Sequence, residues 1–284
     1  MVVRILCLHG MGVNAAIFAA QTACFRKLLP PDYDLVFLDG PATCDAAPGV
    51  AALYPGPYRC WYDTPTTSKV QKAHAAVLAF ARRAGPFDGV MGFSQGAALA
   101  ASVLLHHELE GAPPPFAFAV FVCAPLPFSH ALAHGIDTRA HFGSPAQRPV
   151  RPDCPDAVPA HLVADAAYLR GEERLAAAKA KASAAADAAG PVRAPAAKEE
   201  EEEGAHFYQM FHASVDRVRI QVPTVHVVGA RDKWRLHSLD VLQLCARDLA
   251  VSFEHGGGHE IPRDTAEDMC DLIEGLVAVA MAGA

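Results

Sequence analysis

The chain has 284 residues, 52% hydrophobic and 19% charged, which is enough material for one large α/β domain with a substantial core. Its formal net charge is -7, but five acidic residues sit together at Glu199–Glu203, so the acidity is local. No basic cluster points to nucleic acid, no uncharged apolar run is long enough to span a membrane, and the eight scattered cysteines form no Cys-x-x-Cys pair of the zinc or redox kind.

Residues 2–8 form an apolar run broken only by Arg4, which predicts a buried parallel strand; no signal-like segment precedes it, so a reducing cytoplasm is the expected location. A glycine loop follows at His9-Gly10-Met11-Gly12-Val13-Asn14. A helix is then expected over 15–29, stopped by Pro30-Pro31, and a second strand over 33–38. Residues 42–66 are rich in Pro, Gly and Thr and read as a long surface loop. A helix over 68–84 closes at Gly85-Pro86. An apolar strand through Val90 and Met91 then meets an alanine-rich helix starting at Gln95, and another apolar strand covers 116–123. This alternation predicts a mostly parallel central sheet with helices on both faces.

From about 126 to 216 the rhythm stops. Residues 127–160 have no clear period, 160–189 are alanine-rich and helical by propensity, and 190–204 are low in complexity and read as a solvated, disordered loop. A helix over 206–218 would carry Phe207, Met210 and Phe211 on one face. The whole block reads as a helical and irregular cap insertion within a single domain of 284 residues. The rhythm then resumes with a strand at 224–228, a helix at 236–249, a short strand at 250–254 and a last helix at 262–281.

Gly92-Phe93-Ser94-Gln95-Gly96 lies between an expected strand and an expected helix. A Gly-x-Ser-x-Gly turn in that context is the nucleophile elbow of the α/β-hydrolases, in which the serine is held in a strained turn and the helix N-terminus faces the developing negative charge. The same serine could instead merely cap the helix. A serine nucleophile needs a base and a group that orients the base, here in the chain order Ser, acid, His. Asp232 follows a late strand, where ligands and catalytic groups collect in open α/β sheets. It competes with Asp240 and Asp248, which fall within the next helix, and its alternative role is a helix cap. His259 is the expected base because Gly256–Gly258 let its loop reach back over the elbow; His255 is its rival, and either could be an ordinary loop histidine. The oxyanion of the tetrahedral intermediate needs two donors, expected from the backbone N–H groups of Gln95 and Met11. His9 reads as structural. His74, His106, His107, His161 and His226 lack metal-ligand spacing, and no metal or cofactor is expected. Trp61, Tyr62, Phe207, Met210 and Phe211 could line an apolar acyl pocket, with core packing as the alternative for several of them.

These same residues resemble the FSH-type serine hydrolases, many of them fungal. The resemblance runs through Ile5-Leu6-Cys7-Leu8-His9-Gly10 with Asn14, Ile17-Phe18 and Gln21. It continues in Gly85-Pro86-Phe87-Asp88-Gly89-Val90 with Gly92-Phe93-Ser94-Gln95-Gly96-Ala97-Ala98, and in Ile220 with Pro223 to Gly229 and Asp232. It ends in Gly257-Gly258-His259 with Ile261-Pro262. It covers about 1–125 and 206–275, while 127–205 match less well and the polyglutamate stretch looks peculiar to this chain. The resemblance implies an α/β-hydrolase fold lacking the first strands of larger members, and a triad at Ser94, Asp232 and His259. It also implies one of two activities. The first is a polyketide-pathway thioesterase that frees an acyl product from an acyl carrier protein; the second is a carboxylesterase of short esters. A binding protein on a hydrolase scaffold is the reading of another class, opposed by the presence of all three side chains.

Overall fold

The computed structural model describes residues 2–138 and 208–282. The expected alanine-rich helix at 160–189, the loop at 190–204 and Phe207 lie outside the described residues. The six main strands are β1 (Val3–Leu8), β2 (Tyr33–Leu38), β5 (Gly89–Phe93), β6 (Phe118–Val122), β10 (Thr224–Gly229) and β11 (Ala250–His255). They form one all-parallel sheet in the order β11-β10-β6-β5-β1-β2. Their apolar runs follow from this: a parallel sheet covered on both faces buries both sets of alternating side chains. Leu6, Leu8, Val90, Ala119 and Phe121 face one core, and Ile5, Cys7, Met91, Val120 and Val122 the other.

Helices α3 (Thr67–Ala84), α4 (Gln95–Glu110) and α5 (Arg235–Gln243) cover the first face. Helices α1 (Ala15–Gln21), α2 (Ala23–Arg26) and α6 (Ala266–Ala282) cover the second. Helix α4 is buried from Gly96 through His106, which makes it the central helix of its layer; each fully buried leucine there, such as Leu99 or Leu104, stabilises by about 1.5–3 kcal/mol. No described helix is long and apolar enough to cross a membrane.

The chain leaves β1 toward β2 on one side and returns to β5 on the other. The carboxyl ends of β1 and β5 therefore flank the switch point, where the crevice of an open α/β sheet lies.

Four expected elements differ. The helix over 15–29 is two helices, because the Thr22 hydroxyl bonds back to the Phe18 and Ala19 carbonyls and interrupts the first. The surface loop at 42–66 contains a two-residue ladder, β3 (Ala42–Thr43) against β4 (Arg59–Cys60). The helix expected over 206–218 is not formed where the chain is described. Gln209–Met210 is instead a strand, β9, held between β7 (Phe128–Ser129) and β8 (Ile136–Asp137), and the Phe211 N–H bonds to Pro127 O. Cross-chain backbone pairing has overridden an apolar spacing that suited a helix. The helix expected to run to 249 ends at Gln243, where Ile220 pairs with Cys245.

A cluster of histidines anchors β7 to the helices. His74 Nε2 lies 2.8 Å from Ser102 Oγ, which donates to Phe128 O at 2.5 Å. His106 Nε2 accepts the His130 N–H at 3.3 Å, and the two rings stack with centroids 3.7 Å apart. Burial holds His74 well below the ordinary histidine value and lowers His106 and the distant core residue His226 to about 3. The sign follows. The folded protein keeps these rings neutral while the unfolded chain protonates them near pH 6.5, so stability is full above that pH and falls as pH falls toward 3. By pH 5 His106 and His226 each cost about 2 kcal/mol. Urea unfolding at pH 7.5, 6 and 5 is expected to show a steep drop in midpoint, and a flat profile would contradict the neutral cluster.

Candidate active site

Ser94 sits between β5 and α4 with φ 52° and ψ -120°, one of two described non-glycine residues at positive φ. Such a conformation costs roughly 1–3 kcal/mol and holds only where the surroundings impose it. They do so here through two close approaches. A Cβ on Gly92 would overlap the backbone at Ala97, and one on Gly96 would overlap the Leu8 carbonyl. The turn is further tied down by the Ser94 N–H, which donates to Val122 O at 2.9 Å.

Asp232 lies in the turn after β10, its N–H bonded to Gly229 O, and its side chain is fully buried. His259 lies beyond β11 in the glycine loop. The structure brings the three together: His259 Nε2 is 2.8 Å from Ser94 Oγ, and His259 Nδ1 is 2.8 Å from Asp232 Oδ2. The other carboxylate oxygen, Oδ1, accepts the Trp234 N–H at 2.9 Å. Burial by itself would raise the Asp232 carboxyl. The hydrogen bond and charge of His259, with the Trp234 N–H and the Cys123 thiol, outweigh it and hold the group below the usual carboxylate range. The carboxylate is thus ionised where it faces Nδ1, which fixes Nδ1 as the protonated nitrogen and leaves Nε2 to accept the serine proton.

The rival assignments have other surroundings. His255 is buried at the end of β11 and its Nδ1 accepts the Gly257 N–H at 3.2 Å. Asp240 lies in α5, 3.6 Å from His212 Nε2. His9 is wholly buried: Nε2 accepts the Gly40 N–H at 2.8 Å, which makes Nδ1 the donor to Gly10 O at 2.7 Å.

Ser94 opens into a cavity of about 790 Å3, with Met11 and Gln95 in its wall. Tyr62, Phe128, Met210 and Trp234 are among the side chains that line it. Two of the expected pocket residues are placed elsewhere. Trp61 is turned into the core because its indole N–H finds the His9 carbonyl at 2.8 Å, and Phe211 is fully buried with its ring edge against His106. Sequence reasoning missed Cys123, whose Sγ lies within 4.8 Å of ligand atoms of both Asp232 and His259 and contacts Gly258 O and Glu260 O. Burial, and then the Asp232 charge, push this thiol far above its ordinary value, so it stays protonated and donates. Its position at the carboxyl end of β6 was the available signal. Trp234 and the side chain of Gln95 carried no signal beyond adjacency to residues already singled out.

A six-stranded parallel sheet with helices on both faces, and a strained serine between strand and helix within hydrogen-bond distance of a histidine, are the features of the α/β-hydrolase class. Among solved structures, a carboxylesterase from Mesorhizobium loti superposes with TM-score 0.51 at 14% identity, covering 96% of this chain and 88% of its own. The chain belongs to the FSH1 family of serine hydrolases: the family described as "Serine hydrolase (FSH1)" matches residues 1–269. "Esterase alnB" of Emericella nidulans is 32% identical over 94% of this chain and 92% of its own length. "Esterase FPY3" of Fusarium mangiferae is 30% identical over 99% of each chain.

Proposed function

We propose that the protein hydrolyses an ester or thioester of a bulky apolar acyl group, with Ser94 as nucleophile, His259 as base and Asp232 as the group that orients it. Ser94 Oγ attacks the acyl carbonyl while its proton passes to His259 Nε2. The N–H groups of Met11 and Gln95 receive the oxyanion, and the imidazolium returns its proton to the leaving alcohol or thiol. Water then enters, His259 takes its proton, and the acyl–Ser94 ester breaks to the free acid. No metal or cofactor is needed for either half.

The observation that carries the acyl class is the cavity. About 790 Å3 lined by Tyr62, Phe128, Met210 and Trp234 far exceeds what an acetyl or butyryl group fills. A polyketide-type chain delivered as a thioester on an acyl carrier protein suits that volume, and we take it as the substrate. Matched acyl chains are to be compared as N-acetylcysteamine thioesters and as simple esters, from two carbons upward. The expected result is kcat/KM rising with chain length and favouring keto-bearing thioesters. Turnover equal or better with two- to four-carbon esters would make the protein a short-chain carboxylesterase and overturn the polyketide reading.

A further inference from the structure

The geometry points to the side chain of Gln95 as a positioning residue that fixes the spacing of the two oxyanion donors. This rests on the proposed roles of Ser94, Met11 and Gln95. The two donating amides belong to chain segments far apart in sequence: Gln95 N–H starts α4, whereas Met11 lies in the loop after β1. The pairing of β1 with β5, and Gly96 lying against the Leu8 and His9 carbonyls, set where the two segments leave the sheet. Beyond the strand ends, the Gln95 side-chain amide adds a further link to the loop that carries Met11. Its Oε1 accepts the Trp61 N–H at 2.9 Å and its Nε2 donates to Tyr62 O at 2.7 Å, so one side chain grips two successive backbone groups as a neighbouring strand would.

The gripped segment in turn fastens the Met11 loop on both sides. Before Met11, the Trp61 indole N–H donates to His9 O at 2.8 Å, and the ring lies beside His9 with centroids 5.3 Å apart. His9 is itself held by the Gly40 N–H. After Met11, Gly12 N–H donates to Arg59 O at 3.0 Å and Arg59 N–H donates to Val13 O at 2.6 Å. The path is therefore Gln95 side chain, residues 59–62, then His9 and Gly12 around Met11. Removing the grip leaves Ser94, His259 and Asp232 in place and frees the Met11 amide to drift. Loss of one oxyanion donor costs about 100- to 1000-fold in kcat, so a misplaced donor is worth up to that range. The same amide also sets Tyr62, a wall of the acyl cavity.

Gln95→Met keeps length and removes both hydrogen bonds; Trp61→Phe removes the indole donor alone. Each is expected to lower kcat about 10- to 100-fold with KM changed less than threefold, and to weaken a trifluoromethyl ketone analogue of the tetrahedral intermediate by the same factor. The double variant is expected to be no worse than the poorer single one, because both act along one path. Gln95→Glu can donate to Tyr62 O only when its carboxyl is protonated, so its kcat relative to the parent protein is expected to rise as pH falls from 7.5 to 5.5. Kcat within twofold of the parent in both single variants would overturn the proposal, as would losses that multiply in the double variant. Complete fluorophosphonate labelling of Gln95→Met shows that the reacting serine is intact. Failure of the unaltered protein to label would instead overturn the triad itself. Trp61→Phe keeps the test open if Gln95→Met does not fold.

Discussion

Replacing Ser94 by alanine is expected to lower kcat about a million-fold and abolish fluorophosphonate labelling, with little change in thermal midpoint. Alanine keeps the Cβ, so the backbone strain at φ 52° is the same in both proteins. The hydroxyl's hydrogen bond is to His259, which is partly exposed and can turn to solvent. The residue removed is therefore chemical and not structural. His259→Ala should lose about as much, and the double variant little more, because in the proposed mechanism nucleophile and base act as one unit. Residual hydrolysis above about 1% would mean that another group performs the reaction.

Asp232→Asn is expected to cost about 10,000-fold in kcat while the protein folds. The magnitude follows from what the two carboxylate oxygens face. Oδ1 accepts a backbone N–H from Trp234, so the asparagine oxygen occupies that side and its NH2 is turned to His259 Nδ1. An amide N–H donating to Nδ1 forces the proton of a neutral imidazole onto Nε2, where it opposes the Ser94 hydroxyl. The base is then in the wrong tautomer at 2.8 Å from its target. The loss should appear in kcat with KM nearly constant. A loss below tenfold would show that Asp232 neither sets the tautomer nor stabilises the imidazolium.

Much of this was legible in the sequence because the signals are local. The apolar runs at 3–8, 89–93, 118–122 and 224–229 are continuous because both faces of a parallel sheet are covered, and their alternation with helices announces the layers. The Gly92–Gly96 turn is legible for a stronger reason: two side chains would collide with backbone, so only glycine fits. The helix over 206–218 was misread because its partners, Phe128–Ser129 and Ile136–Asp137, lie more than 70 residues earlier in the chain and leave no trace in its own spacing.

By itself the sequence indicated the main strands and helices of the sheet layers, the elbow, and a short list of candidate side chains; the strands, helices and elbow each depend on residues within a few positions of one another. Only the tertiary structure decided which histidine meets Ser94, since His255 ends β11 and His259 follows four residues later, and they differ in which faces the elbow. It alone turned Trp61 from the acyl pocket into a clamp on His9, and placed the Cys123 thiol beside the acid. The physical reason is common to all three. A hydrogen bond of 2.8 Å between residues 52 or 165 positions apart is set by the packing of whole layers, to which a single stretch of chain contributes only its own part.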